Sequence, residues 1–249
     1  MLTLASILFG LIFGSFLGST VYRLANDKSL LTPRSYCPHC NRTILWYYNI
    51  PFFSYIWLKA KTQCCHSSIS TFYPFIEVST AIIFFINIFL FQNIDLILIS
   101  FLSAILIIIF FTDYYYFLIH NILVAIFLLF TIVAIFYFQL NPFNISFLNS
   151  VLCSLISMLI IWLIGRLHLL LRKTEGLGFG DVKLIGVISL WTGFAYLPIL
   201  IIISSTLAIF HILIINKLFI QKEKFAAVKS PFGSYLSLTL LMLIYFNQW

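Results

Sequence analysis

Apolar residues gather in long blocks along this chain, with polar residues confined to the gaps between them. The blocks predict eight helical spans, roughly 4–21, 74–92, 96–112, 117–138, 147–165, 183–196, 198–216 and 231–248, against the ~20 residues a helix needs to cross a bilayer. Residues 4–20 lack a basic leader and read as a retained first span rather than a cleaved signal. One connection is long, about 50 residues between Val21 and Tyr73, and holds most of the cysteines. Loops of that length usually carry function or a small fold of their own. The sixth span is short and starts at a glycine-rich stretch, which predicts a broken or re-entrant segment. Irregular backbone survives at membrane depth only where it lines a cavity or is packed in protein. No internal repeat or low-complexity linker is visible. The expected fold is an all-α polytopic membrane protein of about eight transmembrane helices. Its expected parts are a first helix (1–21), a cytoplasmic cysteine-containing module (22–73) and a seven-helix membrane domain (74–249).

Composition agrees with the pattern. The 249 residues are 62% hydrophobic and 8% charged, where a soluble domain carries roughly 25% charged residues. The net charge of +7 could suggest a nucleic-acid partner, but its distribution excludes one. All 14 basic residues fall in three windows: Arg23 to Lys61, Arg166 to Lys183, and Lys217 to Lys229. With both termini outside, eight spans place all three windows in the cytoplasm, as the positive-inside rule requires. The turns near Gln92–Asp95, Leu140–Asn144 and Phe194–Leu197 then lie outside without a basic residue.

Seven acids remain to be placed. Asp27 and Glu223 fall in basic windows and Asp95 in an outer turn, where a solvated charge suffices. Asp113 ends the apolar run Phe101–Phe111, and Asp181 opens a span, both at the predicted cytoplasmic boundary. An acid there is either a helix-end group facing headgroups or a functional residue. Two carboxylates meeting in a poorly solvated site cannot both ionise easily and share a proton. An aspartic protease uses such a pair: the ionised member takes a proton from water, and the protonated member polarises the scissile carbonyl. Gly178 and Gly180, just ahead of Asp181, permit close approach of an extended peptide. Transporters also keep rare carboxylates near helix breaks, so an ion or small-solute transporter and a non-catalytic assembly protein are the competing classes.

The chain resembles the type IV prepilin peptidases, GxGD-type membrane aspartic proteases. FGLIFGSFLGSTVYRL (9–24) is similar to the family's first span. CPHC (37–40), NIPFFSYIWLKAK (49–61) and ISTFYPFIE (69–77) resemble its cytoplasmic module and the exit from it. TDYYYFLIHNIL (112–123) and EGLGFGDVKL (175–184) resemble the two aspartate segments, and SPFGSYLSL (230–238) the PFG motif. The resemblance implies that Asp113 and Asp181 are the catalytic pair. It implies a bacterial cytoplasmic (inner) membrane enzyme, multi-pass, with its active site toward the cytoplasm. Its partners would be the lipid bilayer and its prepilin or pseudopilin substrates, whose basic leaders it cleaves. It further implies N-methylation of the new terminus from S-adenosylmethionine, with Glu77 and the large loop involved. Glu77 also reads as a helix-start acid favoured by the helix dipole. Two positions depart from the pattern: Gly18 stands where many members have Asn, and His120 where a proline is common. His120 reads as a boundary residue ahead of Asn121.

Cys37 and Cys40 have the spacing of two zinc ligands. The family's second CxxC falls at Thr62-Gln63-Cys64-Cys65, so Thr62 replaces its first cysteine and Cys65 matches its second. Cys64 is an extra neighbour, and it, His39 or His66 is the candidate fourth ligand. Reduced free thiols are the alternative to zinc, since a cytoplasmic loop disfavours a disulfide. A metal here would clamp a loop with too little core to fold alone. Lys183 either supports the aspartate segment or snorkels to the boundary. Cys153 reads as a buried hydrophobe, and His168 and His211 as packing residues.

Overall fold

The structure, a computed structural model, describes every residue except 1, 31–34, 38, 174–175, 177, 220–229 and 248–249. Arg34, Glu175, Lys222, Glu223, Lys224 and Lys229 therefore lie outside the described residues. The helices are α1 (Leu2–Ala25), α2 (Phe53–Trp57), α3 (Phe72–Leu90), α4 (Asn93–Tyr116), α5 (Asn121–Phe136), α6 (Phe147–Arg172), α7 (Phe179–Phe219) and α8 (Phe232–Phe246). There is no strand among the described residues. Among the described residues, five helices are long and apolar enough to cross a membrane, while α5 and α8 are shorter apolar helices. The expected spans 183–196 and 198–216 form one helical stretch, α7, interrupted at Gly193. Gly193 sits at φ 54°, ψ −169°, a conformation open essentially to glycine alone. The Asn149 side chain accepts the Phe194 N–H freed by this break, at 3.3 Å.

The chain divides into two compact units, Met1–Phe111 and Thr112–Trp249. In the first, α1 packs along α3. Gly10, Gly14 and Gly18 make this approach possible. A Cβ on Gly10 would lie 2.6 Å from Cα of Ala81, and one on Gly14 2.7 Å from Cα of Glu77. Small residues four apart are the usual means of close helix contact in lipid. Gly18 belongs to the same row: its Cβ would meet Ile76 Cγ2 at 2.9 Å. Buried Asn87 on α3 donates to Ser100 of α4 at 3.2 Å, which satisfies a polar group that lipid could not.

In the second unit α7 packs against α5, α6 and α8. Polar contacts join these helices inside otherwise apolar surfaces. Trp191 Nε1 donates to Thr131 at 2.8 Å, Ser154 to the Gly186 carbonyl at 2.7 Å, and Ser204 to Thr239 at 3.1 Å. In a membrane each such group must find a protein partner, so these bonds fix which faces meet. The packing brings the end of α4, the start of α7 and the start of α8 to one place.

Candidate active site

Asp113 lies in the last turn of α4 and is 6% exposed. Its Oδ2 accepts the Ser234 N–H at 2.8 Å and the Ser234 hydroxyl at 3.2 Å. Ser234 is in the first turn of α8, where backbone N–H groups lack intrahelical partners. No side chain at Pro231 caps that helix. The Asp113 carboxylate takes that place from another helix, at the positive end of the α8 dipole.

Asp181 lies in the first turn of α7. Its backbone N–H donates to the Gly178 carbonyl at 3.1 Å. Its Oδ1 is buried without a hydrogen-bond partner among the described residues. The two carboxylates meet at Gly233. A Cβ there would lie 3.2 Å from Asp113 Oδ2 and 3.3 Å from Asp181 Oδ1. Those oxygens are therefore no farther apart than the two distances laid end to end, about 6.5 Å. A buried polar oxygen left unpaired beside a second carboxylate is costly unless function requires it.

The glycines of the aspartate segment have separate neighbours. A Cβ on Gly178 would stand 3.3 Å from Asp181 Oδ2, so that glycine leaves room beside the carboxylate. A Cβ on Gly180 would meet Ile119 Cβ at 3.0 Å, and Ile119 Cδ1 also lies 2.6 Å from the Cβ position of Gly233. Gly180 and Gly233 thus admit one isoleucine beside the carboxylates. Lys183 Nζ donates to Asn121 Oδ1 at 2.8 Å and lies 4.4 Å from the Phe179 ring centroid. It ties α7 to the start of α5, and among the described residues it makes no ion pair. His120 stands at the N-cap position of α5. His211 lies between two rings, its centroid 5.5 Å from that of Tyr114 and 5.7 Å from that of Tyr235. The sequence likeness marked Pro231-Phe232-Gly233 as a family motif but gave Ser234 and Ile119 no role.

The first unit holds the other candidates. Glu77 is 6% exposed on α3, and its Oε2 accepts the Phe52 N–H at 2.7 Å. Ser15 of α1 bonds its side chain as well. The cysteine loop makes two matching knuckles, 25 positions apart. Cys37 N–H bonds Arg42 O and Thr62 N–H bonds Ser67 O; Asn41 N–H bonds Cys37 O and His66 N–H bonds Thr62 O. Asn41 and His66 share positive φ, 56° and 54°. This backbone repeat agrees with the sequence position of the second CxxC and makes Thr62 the structural counterpart of Cys37. The sulfurs of Cys37, Cys40, Cys64 and Cys65 all lie within 4.8 Å of one another. Cys37 and Cys65 are 3.6 Å apart, and Cys40 and Cys64 3.2 Å. A tetrahedral zinc with Zn–S of about 2.3 Å has sulfur edges of about 3.8 Å. The donor set and its spacing fit zinc, with Cys64 in the place that Thr62 leaves vacant. Hydrogen bonds from Ser67 and then Thr62 push the Cys65 thiol down to about 5.

Models of two protein families match this chain: the Bacterial Peptidase A24 N-terminal domain over residues 8–91 and the Type IV leader peptidase family over 100–213. A relative named prepilin leader peptidase/N-methyltransferase, from Pectobacterium carotovorum subsp. carotovorum, is 30% identical over 79% of this chain and 77% of its own length. The chain belongs to the type IV leader peptidase family. A second prepilin leader peptidase/N-methyltransferase, from Klebsiella pneumoniae, is 30% identical over 80% of this chain and 89% of the relative. The type 4 prepilin-like proteins leader peptide-processing enzyme of Escherichia coli O78:H11 (strain H10407 / ETEC) is 30% identical over 95% of this chain and 91% of its own. No solved structure matches the chain. As a leader peptidase family member with five membrane-length helices, it is a multi-pass membrane enzyme.

Proposed function

We propose that this enzyme is an aspartic endopeptidase of the GxGD type. Its substrates are type IV prepilins or pseudopilins, and it removes their basic leaders at the cytoplasmic face of the inner membrane. The observation that carries the reading is the meeting of Asp113 and Asp181 at the Gly233 gap. The pair holds one proton. Asp181 Oδ1, which no donor among the described residues occupies, is the oxygen with room for it; Asp113 is held in place by Ser234. The ionised carboxylate removes a proton from water, and the hydroxide equivalent attacks the scissile carbonyl carbon. The protonated carboxyl donates to the carbonyl oxygen. The C–N bond then breaks, and the departing nitrogen takes up the proton first taken from water. Lys183 and Gly180 support the start of α7 through Asn121 and Ile119, while Gly178 keeps Asp181 accessible. The short basic leader of such a substrate suits an anionic membrane surface.

The second activity, in our reading, is N-methylation of the new terminus, with the methyl group supplied by S-adenosylmethionine. A cavity of about 340 Å³ in the first unit supports it, lined among others by Ser15, Ser19, Thr20, Arg23 and Asn49. Its hydroxyls and guanidinium fit the ribose and carboxylate of that donor, and Ser15 links it to Glu77. Cys37, Cys40, Cys64 and Cys65 would hold a structural zinc that clamps the loop.

The test replaces each aspartate. Asp113→Asn and Asp181→Asn should each reduce leader removal from a co-expressed prepilin by about three orders of magnitude, because the pair acts as a unit. Continued shortening by both variants would sink the dyad. A transporter would instead lose solute flux and leave the prepilin untouched.

A further inference from the structure

Within residues 46–57, Trp46, Phe53, Ile56 and Trp57 present an apolar surface that neither proposed reaction uses. Trp46 is 80% exposed and Trp57 86%, and Phe53 and Ile56 are exposed beside them. The surface is one ordered piece, since the Ser54 hydroxyl of α2 donates to the Tyr47 carbonyl of the preceding 3-10 turn at 3.2 Å. Two observations fix what covers it. The first is depth. The Phe52 N–H bond to Glu77 holds the segment beside the second turn of α3. Glu77 lies only about 8 Å along that span from its start at Phe72, at 1.5 Å per residue. That bond sets Phe52, which stands between Trp46 and Trp57 in sequence, close to the end of the span. The second is charge. Residues 28–76 contain five basic residues and no acid, and Arg42, Lys59 and Lys61 are exposed close to the aromatic segment in sequence.

We infer that residues 46–57 form an interfacial foot that rests in the headgroup layer of an anionic bilayer. Trp46 and Trp57 enter the acyl boundary, and Lys59 and Lys61 contact lipid phosphates. Tryptophan favours that layer because its ring is apolar and its N–H finds water or phosphate there. Basic side chains nearby add attraction to anionic lipid. The foot holds the cysteine module down beside α3, so the loop is moored at both its spans and its middle.

The experiment uses the full-length protein reconstituted in vesicles of phosphatidylcholine alone or of phosphatidylcholine with phosphatidylglycerol. The emission of Trp46 and Trp57 is obtained by difference from a Trp46→Phe/Trp57→Phe variant. The inference expects most of that emission to be lost with lipids brominated high on the acyl chains and little with lipids brominated deep. It also expects the loss to be larger with phosphatidylglycerol, and to shrink in a Lys59→Glu/Lys61→Glu variant. Emission that stays open to aqueous iodide and ignores brominated lipid overturns the inference. So does equal quenching in the two compositions, since no anionic contact would then exist. Shielding that arises only on adding a basic, apolar prepilin segment assigns the surface to a protein partner and likewise overturns it.

Discussion

Replacing Gly233 with alanine puts a methyl group in the gap between the two carboxylates. Its carbon would stand 3.2 Å from Asp113 Oδ2, 3.3 Å from Asp181 Oδ1 and 2.6 Å from Ile119 Cδ1. The backbone is not the difficulty, for Gly233 is helical and alanine is favoured there by about 1 kcal/mol. Overpacking costs about 1–3 kcal/mol, but Ile119 presents the flexible end of its side chain and can rotate. Folding stability should therefore fall by no more than about 2 kcal/mol, the difference between the two effects. Catalysis has less room to adapt. Both carboxylates must move by tenths of an ångström or lose the space where water and carbonyl meet, and misplacement on the ångström scale costs about a hundredfold. That loss in kcat corresponds to about 2.7 kcal/mol of barrier. The assay is leader removal from a purified prepilin, with kcat and KM separated and thermal unfolding measured alongside. A folded Gly233→Ala enzyme with kcat within about threefold of the parent would refute the placement of the reaction at this gap. Ile119→Ala in the same background divides the causes: recovery of full activity would trace the defect to the Ile119 contact and not to the carboxylates.

Ser234→Ala removes the hydroxyl donor to Asp113 Oδ2 and keeps the 2.8 Å backbone bond; kcat should fall about fivefold, for a hydrogen bond worth about 1 kcal/mol, and a loss as deep as that of Asp113→Asn would contradict this ranking. Cys64→Ser should lose zinc in metal analysis, and adding Thr62→Cys should restore it by rebuilding the regular CxxC in the second knuckle; no recovery would break the equivalence of Thr62 and Cys37. Glu77→Gln keeps an acceptor for the Phe52 N–H while removing the charge; mass spectrometry of the processed pilin should show a shortened but unmethylated terminus, and a methylated one would remove Glu77 from the second activity.

Much of this molecule was legible along the chain because lipid imposes a one-dimensional rule. A span must be long, apolar and helical, so the blocks around 4–21, 74–92 and 96–112 predicted α1, α3 and α4 directly. The same rule made Asp113 and Asp181 conspicuous, since acids at apolar boundaries are rare. The glycine ahead of Phe194 gave less away: only the structure put the break of α7 at Gly193, where Ile145 and Asn149 from another part of the chain crowd the position a Cβ would take. Ser234 and Ile119 carried no local signal, being an ordinary helix-start serine and one isoleucine in an apolar run. What makes them matter is the convergence of α4, α7 and α8. The knuckle repeat was half legible. The family pattern already set Thr62 at the first cysteine position of the second CxxC, but the matching backbone hydrogen bonds, 25 positions apart, exist only in the fold.

Sequence alone determined that the chain crosses a membrane, that its basic residues gather in three windows, and which two acids stand at apolar boundaries, because hydropathy and charge act residue by residue. Tertiary structure decided that Gly233 is the meeting point of the carboxylates, that Ser234 holds one of them, and that the sulfurs of Cys64 and Cys65 gather with those of Cys37 and Cys40. Those facts are distances between segments far apart in the chain, and a distance of that kind exists only once the helices have packed.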